Sequence, residues 1–341
     1  MPCATLSNLP PPPSGRTGWP WNVETQPAPP AMPGGAPWPK VTVITPSYNQ
    51  GMYLEETIRS VLLQGYPALE YIAMDGGSSD ESVAILQKYS FWLSHWVSEP
   101  DQGQAHAIQK GLQIASGELF NFINSDDLLT PGALQAVASS FGDNDMVAGC
   151  CQNFNATGDT DLIRNRGLSA PSLVLYENVE YHQPAIWFRR QQVEQCGGLH
   201  TGFHYHFDLD LFVRYLSLFP KVTYSSQTLA RFRLHHTSKT VSQQEQFDEE
   251  RPRVLRRLLE APEFRRAHAA CYQCLHLPEW WSELEQLNKT HKGLWKAVKI
   301  LQASCADPKI RWSRLMLGAI RQALQEAAGL TPSSNTDEKR A

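Results

Sequence analysis

The chain is poor in the features that mark several large protein classes. No apolar run approaches the roughly 18 residues that a membrane span needs, so no transmembrane helix is expected. There is no surplus of base: 30 Lys and Arg stand against 34 Asp and Glu, a formal net charge of −4. That balance argues against nucleic acid as a partner held on a basic face. Seven cysteines in 341 residues are too few for a disulfide scaffold, and an odd count leaves one unpaired. The opening MPCATLSNLPPPPSG has neither the basic nor the apolar region of a secretory signal, so a reduced, cytoplasmic setting is expected. Two phosphate-binding loops are missing as well. Neither G-x-G-x-x-G after the first strand nor G-x-x-x-x-G-K-[ST] occurs.

What is present is ample apolar material for a core, 42% of the residues, unevenly arranged. Twelve of the 24 prolines fall in residues 1–39, with one acid (Glu24) and one base (Arg16). Proline fixes φ and removes donors, so this arm should run extended. Its Trp19, Trp21 and Trp38 suggest that it lies over the main domain rather than in free solution. From Lys40 the texture changes. VTVIT (41–45) reads as a buried parallel strand, and Leu54, Ile58, Val61 and Leu62 recur at helical spacing. EYIAM (70–74) is a second strand, with Ser79 or Asp80 placed to cap a helix over 81–89. Ala105, Ile108, Leu112 and Ala115 stripe another helix, ELFNFI (118–123) and DMVAGC (145–150) are strands, and Thr130-Pro131 reads as a helix start. Strand and helix alternating at this spacing predict a right-handed βαβ unit and a parallel sheet.

Ligands of open α/β sheets bind outside the carboxyl ends of the strands. Three polar clusters fall at such ends: Pro46–Asn49, Asp75–Asp80 and Asn124–Asp127. Adjacent carboxylates at Asp126 and Asp127 repel unless a cation or hydrogen bonds offset them, and hard oxygen ligands suit Mg²⁺ or Mn²⁺. They equally suit the capping of the following turn. Asp75 before Gly76-Gly77 either stabilises a tight turn or lets a ligand approach the backbone.

The stretches VTVITPSYNQGMYLEETIRSVLLQGYPALEYIAMDGGSSDESV and WVSEPDQGQAHAIQKGLQIASGELFNFINSDDLLTPGAL resemble the family 2 glycosyltransferases of GT-A fold. The resemblance runs from about Trp38 to Lys239. It implies a Rossmann-like, mixed but mainly parallel α/β sheet flanked by helices, and inverting transfer from a nucleotide-diphosphate sugar. By resemblance, Pro46 and Tyr48 border the base, Asp75 binds base or ribose, and Gln104 touches the nucleotide. Asn124-Ser125-Asp126 stands where the family has D-x-D, making Asp126 the metal ligand for Mn²⁺ or Mg²⁺, with Ser125 beside the donor. Gln183-Pro184 matches an acceptor-side segment. Asp208 matches the general base, although Phe207 replaces the more frequent first acid of that pair and Asp210 is the other candidate. The segment 231–240 resembles a mobile lid, with His235 and Lys239 suited to a diphosphate.

The implied partners are a nucleotide-diphosphate sugar and a glycan or lipid-linked acceptor. Rival readings are a sugar nucleotidyltransferase and an inactive nucleotide-sugar-binding module. The expected organisation is an arm (1–39), a catalytic domain (40–245), a helical extension (246–330) and a polar tail (331–341). Cys271 and Cys274 form a lone C-x-x-C, read as structural. The basic, amphipathic stretch 291–324 either packs on its own domain or makes peripheral contact with the inner face of a membrane.

Overall fold

The computed structural model describes residues 3–168, 170–175, 181–306 and 314–328. The chain divides into two compact units, Met1–Val254 and Leu255–Ala341. In the first, β1 (Val41–Ser47), β2 (Leu69–Asp75), β3 (His95–Ser98) and β4 (Leu119–Phe122) alternate with α1 (Gly51–Leu62), α2 (Ser82–Tyr89) and α3 (Gln104–Ile114). Then follow β5 (Leu128–Leu129), α4 (Ala133–Phe141), β6 (Met146–Asn155), β7 (Gly158–Ile163) and α5 (Pro171–Leu175). The strand β8 (Ile186–Arg189) leads through α6 (Arg190–Gln195) to α7 (Phe207–Leu218) and β9 (Val222–Arg233). After β9 come α8 (Lys239–Ser242) and α9 (Gln244–Glu260).

Among the described residues the sheet has nine strands in the order β3-β2-β1-β4-β8-β6-β9-β5, with β7 on β6. The first four strands are mutually parallel, and β6 runs parallel to β9; β8, β5 and β7 pair antiparallel with their neighbours. Every residue of β1 is buried, as a strand covered on both faces requires. Register then sets the site. Ser47 pairs with Asp75, Asp75 with Ser98, and Ile44 with Phe122, so β1, β2 and β4 end on one rim. Pro46, expected in the loop, lies inside β1; β4 pairing has stopped at Ile44 there, so the missing N–H interrupts no ladder on that side. α4 begins at Ala133, later than the Thr130-Pro131 signal, because Gly132 in the left-handed region (φ 76°) forms its cap.

The proline-rich arm is tied to the sheet unit by one buried cation. Arg59 of α1, fully buried, donates to the carbonyls of Pro10 (2.8 Å), Pro20 (3.1 Å) and Trp21 (3.0 Å) and to the Tyr89 hydroxyl (3.0 Å). A chain with few N–H groups still has carbonyls to satisfy, and the guanidinium supplies donors for three of them. Leu9, Trp21 and Trp38 are buried, and Trp19 Nε1 donates to the Leu129 carbonyl at 2.8 Å.

The second unit contains α10 (Arg265–Thr290), α11 (Gly293–Ala306) and α12 (Arg314–Ala327). Leu284, Ala297, Ile300 and Ala323 make its small core, and Lys296 bridges Glu326 at 2.8 Å. Cys271 and Cys274 sit on α10. No helix among the described residues is long and apolar enough to cross a membrane.

Replacing Arg59 with Ala leaves several buried acceptors unsatisfied and should cost about 2–4 kcal/mol. Urea denaturation would read the loss, and limited proteolysis would read earlier cleavage within residues 3–39. A variant as stable and as resistant as the parent would contradict this account of the arm.

Candidate functional site

The rim is assembled by hydrogen bonds between loops rather than within them. Asn49, held at φ 51°, accepts from Ser79 N at 2.9 Å and donates its own amide to Ser78 Oγ at 2.7 Å. Gly76 N donates to the Ser47 carbonyl at 2.8 Å. Asp80 serves the start of α1 as well as its own helix, accepting from Gly51 N (2.8 Å) and Ser82 N (3.0 Å), while Glu81 holds the cap position of α2. Asp75 is 2% exposed and largely spent on its turn. Its oxygens accept from Gly77 N (3.2 Å), Ser78 N (2.8 Å), Ser78 Oγ (2.6 Å) and Ser98 Oγ (2.6 Å). Tyr48, by contrast, is 62% exposed at the same rim.

At the end of β4 the two adjacent carboxylates have different surroundings. Asp127 is buried and accepts from Arg233 N (3.0 Å) and Asn124 Nδ2 (3.1 Å). Burial, then the charge of Asp126, push its pKa well above the usual carboxylate range. Asp126 is half-buried, and its Oδ2 meets His235 Nε2 at 2.9 Å. Ser125 is buried beneath, its carbonyl accepting from Thr57 Oγ1 at 2.9 Å.

The return of β9 closes the site. Arg233 donates to the Asp126 carbonyl (2.8 Å) and to Glu56 Oε2 (2.8 Å), and lies 4.7 Å from the Tyr53 ring centroid. Lys239 Nζ donates to Gln104 Oε1 (3.2 Å) and the His204 carbonyl (3.1 Å), and Gln104 Nε2 donates to Asn124 Oδ1 (2.6 Å). His235, Lys239, Gln104 and Asp126 are therefore brought together. Arg233 was not singled out in the sequence, yet Arg231 and Arg233 at a spacing of two share a strand face, which was the available signal.

Asp208 enters from α7, at its second residue. It is half-buried, and its carboxyl is pushed up to about 6, chiefly by burial, although the Leu209 amide bonds its Oδ1 at 2.7 Å. Lys239 is near enough to carry charge interactions with Glu250, Asp208, Asp101 and Asp126, so the carboxylates at 126 and 208 share one cationic neighbour. Asp210 does not. It is fully buried against Arg214 at 2.7 Å, and Arg214 also donates to the carbonyls of Cys196 and Gly198. The candidate acceptor residues take a structural position: Gln183 Nε2 donates to Asn121 Oδ1 (2.6 Å) and the Phe122 carbonyl (3.0 Å), and the Pro184 carbonyl accepts from Asn121 Nδ2 (2.9 Å). His106 sits on α3, its Nδ1 accepting from Gln102 N at 3.0 Å.

Among the described residues no three His, Cys, Asp or Glu side chains cluster as a metal cage. The pair Asp126 and His235 nevertheless fits a divalent ion that takes its other ligands from phosphate and water, and an imidazole with a carboxylate suits Mn²⁺.

Two neighbouring acids should respond in opposite ways to replacement by amide. Asp210→Asn strands a buried guanidinium and should cost about 3–5 kcal/mol. Asp208 is more basic in the folded chain than in the unfolded one, so folding is penalised above pH 6. Asp208→Asn should therefore add roughly 1–3 kcal/mol at pH 8, a gain that shrinks as pH falls toward 4. Thermal melts of both variants across that range check the signs.

In sequence and in fold the chain resembles known proteins. Residues 42–207 match the profile of Glycosyl transferase family 2. An uncharacterised glycosyltransferase of Mycobacterium tuberculosis is 42% identical over 90 residues, which is 26% of this chain and 34% of that protein. The aligned stretches span between 34% and 61% of the first curated relatives' own length. Among solved structures, Staphylococcus aureus TarS 1–349 in complex with UDP superposes with a TM-score of 0.55 at 18% identity, over 84% of this chain and 89% of that one. Mannosyltransferase PcManGT of Pyrobaculum calidifontis, in complex with GDP-Man and Mn²⁺, superposes with a TM-score of 0.55 at 18% identity, over 90% of each. The fold is thus that of the GT-A glycosyltransferases, and residues 42–207, just under half of the chain, resemble Glycosyl transferase family 2 in sequence.

Proposed function

We propose that the chain transfers a sugar from a nucleotide-diphosphate sugar to an acceptor hydroxyl, with inversion at the anomeric carbon. One observation supports this reading: Asp126 and Asp208, far apart in the chain, both bear by charge on the Lys239 ammonium, which is itself bonded through Gln104 to Asn124 beside the Asp126 carboxylate. Tyr48, exposed at the rim, offers a face on which a base can stack, and Pro46 and the Asp75 turn border it. Ser125 stands beside the diphosphate, and Gln104 and Lys239 hydrogen-bond the diphosphate.

Asp126 and His235 would hold the divalent cation, Mn²⁺ or Mg²⁺, which supplies charge neutralisation for a departing diphosphate. Asp208 accepts the proton of the acceptor hydroxyl as its oxygen forms a bond to C1. The bond from C1 to the diphosphate oxygen breaks with its electron pair, releasing a nucleoside diphosphate. Lys239 supplies positive charge at that end of the cleft. Gln183 and Pro184 brace the acceptor side through Asn121. A single displacement inverts the configuration.

Asp208→Asn should lower kcat about 10²–10⁴-fold while donor binding survives. The assay is a panel of uridine- and guanosine-diphosphate sugars with Mn²⁺, following nucleoside diphosphate release, with calorimetry for UDP and GDP binding. Pyrophosphate as product, or full turnover by the Asn variant, would reject the reading.

The acceptor end has its own support in the second unit. On α11, Leu294, Trp295 and Leu301 are 65%, 68% and 45% exposed, and on α12 Leu317 and Leu324 are also exposed. The stretch 291–324 holds seven Lys and Arg against one Asp. Apolar side chains left in water beside an excess of base suit peripheral contact with an anionic bilayer carrying a lipid-linked acceptor. The chain should float with vesicles containing phosphatidylglycerol but not with pure phosphatidylcholine, and Leu294→Ser with Trp295→Ser should abolish flotation. Equal flotation with both vesicles, or no effect of the substitutions, would count against membrane contact.

A further inference from the structure

α9 delivers a second carboxylate to the neighbourhood of Asp208, and the transfer chemistry above makes no use of it. Glu250 is 4% exposed. Its Oε1 accepts from His204 N at 2.8 Å, and its Oε2 accepts from Tyr205 N and His206 N, each at 2.8 Å. These three consecutive residues are the lead-in to α7. His206 is the cap position of that helix and makes no side-chain capping bond, so the turn is held from outside.

The grip is two-sided. Lys239 Nζ donates to the His204 carbonyl at 3.1 Å, opposite the amides that Glu250 holds. The same ammonium reaches Gln104, which bonds Asn124, next door but one to Asp126. Phe247, one turn before Glu250 on α9, sets its ring edge-on to Tyr205 and His206, with centroids at 5.1 Å in each case. An anion, a cation and an aromatic ring thus fix a turn of three residues whose next residue but one is Asp208.

We propose that Glu250 is a positioning residue for the Asp208 base: its carboxylate clamps the turn at 204–206 and so sets where the Asp208 carboxyl stands in the cleft. The inference rests on the reading of Asp208 as the base. Three bonds to a charged acceptor offset the cost of burying Glu250, whereas a neutral brace would avoid that cost altogether. The charge itself therefore has a consequence that a brace lacks. Asp208 is faced by Glu250 from α9, by Lys239 from α8 and by Tyr181, with Arg251 and His206 in the surrounding shell. The negative charge of Glu250 opposes ionisation of Asp208, and Lys239 favours it.

The test uses the full chain and the nucleotide sugar it turns over best in the uridine- and guanosine-diphosphate panel with Mn²⁺. Glu250→Gln keeps the shape and some of the bonds but removes the charge. Its acid limb of kcat/KM should move to lower pH by roughly half a unit or more, because Asp208 ionises more readily. Glu250→Ala releases the turn, and kcat should fall about tenfold or more while KM for the donor and the calorimetric affinity for the cognate diphosphate stay within about twofold. Glu250→Asp should recover part of the lost kcat. An unmoved acid limb in Glu250→Gln, or parental kcat in Glu250→Ala, overturns the proposal. Should Glu250→Ala fail to fold, the pH profile of Glu250→Gln decides alone. Full turnover by Asp208→Asn would instead remove the base itself, a failure of the underlying reading that the Glu250 variants would not produce.

Discussion

Arg233 joins the two halves of the site, and the placement of Asp126 and His235 depends on it. Its guanidinium ties the carbonyl of Asp126 to the Glu56 carboxylate of α1, and its own amide bonds Asp127. A strand returning from a distant part of the chain is thereby fastened to the end of β4. The fastening is charged, partly buried and flanked by the Tyr53 and Phe154 rings, conditions in which such contacts exceed their worth in water. Two residues later His235 falls against Asp126, and six residues later Lys239 falls against Gln104.

The acids around this cleft divide by how much of their accepting capacity the fold has already used. Asp75 is consumed by a turn, Asp127 by an amide and an asparagine, Asp210 by a buried arginine, and Glu250 by three amides. These are frame. Asp126 meets one imidazole and Asp208 one adjacent amide, so both keep more accepting capacity than the framing acids. A carboxylate does chemistry only if the protein has not satisfied it beforehand, which is why two acids two residues apart on α7 have such different surroundings.

Burial does a second job at Asp208. Removing a carboxyl from water raises its proton affinity, and this carboxyl is accordingly pushed up to about 6. The cost is borne by the folded chain, since that acid opposes folding wherever it is ionised. Frame elements offset costs of this kind, among them the α1 helix, whose buried face carries both the core side chains and the arginine that fastens the N-terminal arm.

Local pattern alone marked β1, β2, β4 and β6, the helices among them and the rim, and left β3, β5, β7, β8 and β9 unmarked. Buried parallel strands leave runs of β-branched residues, and amphipathic helices leave a period near 3.6, so β1, α1, β2, α3 and β4 were legible before any contact was known. The polar clusters at the strand ends were legible for the same reason, because chain direction in a parallel sheet sends every such end to one side. Tertiary structure set Asp210 against a buried arginine, gave Asp75 its turn, and brought residues of β9 and α9 to the strand ends and to the start of α7. The contacts from β9 and α9 join residues 107 and 46 positions apart, whereas Asp210 with Arg214 and Asp75 with its turn are local pairs whose burial was set by packing. Spacing along the chain carries no record of that.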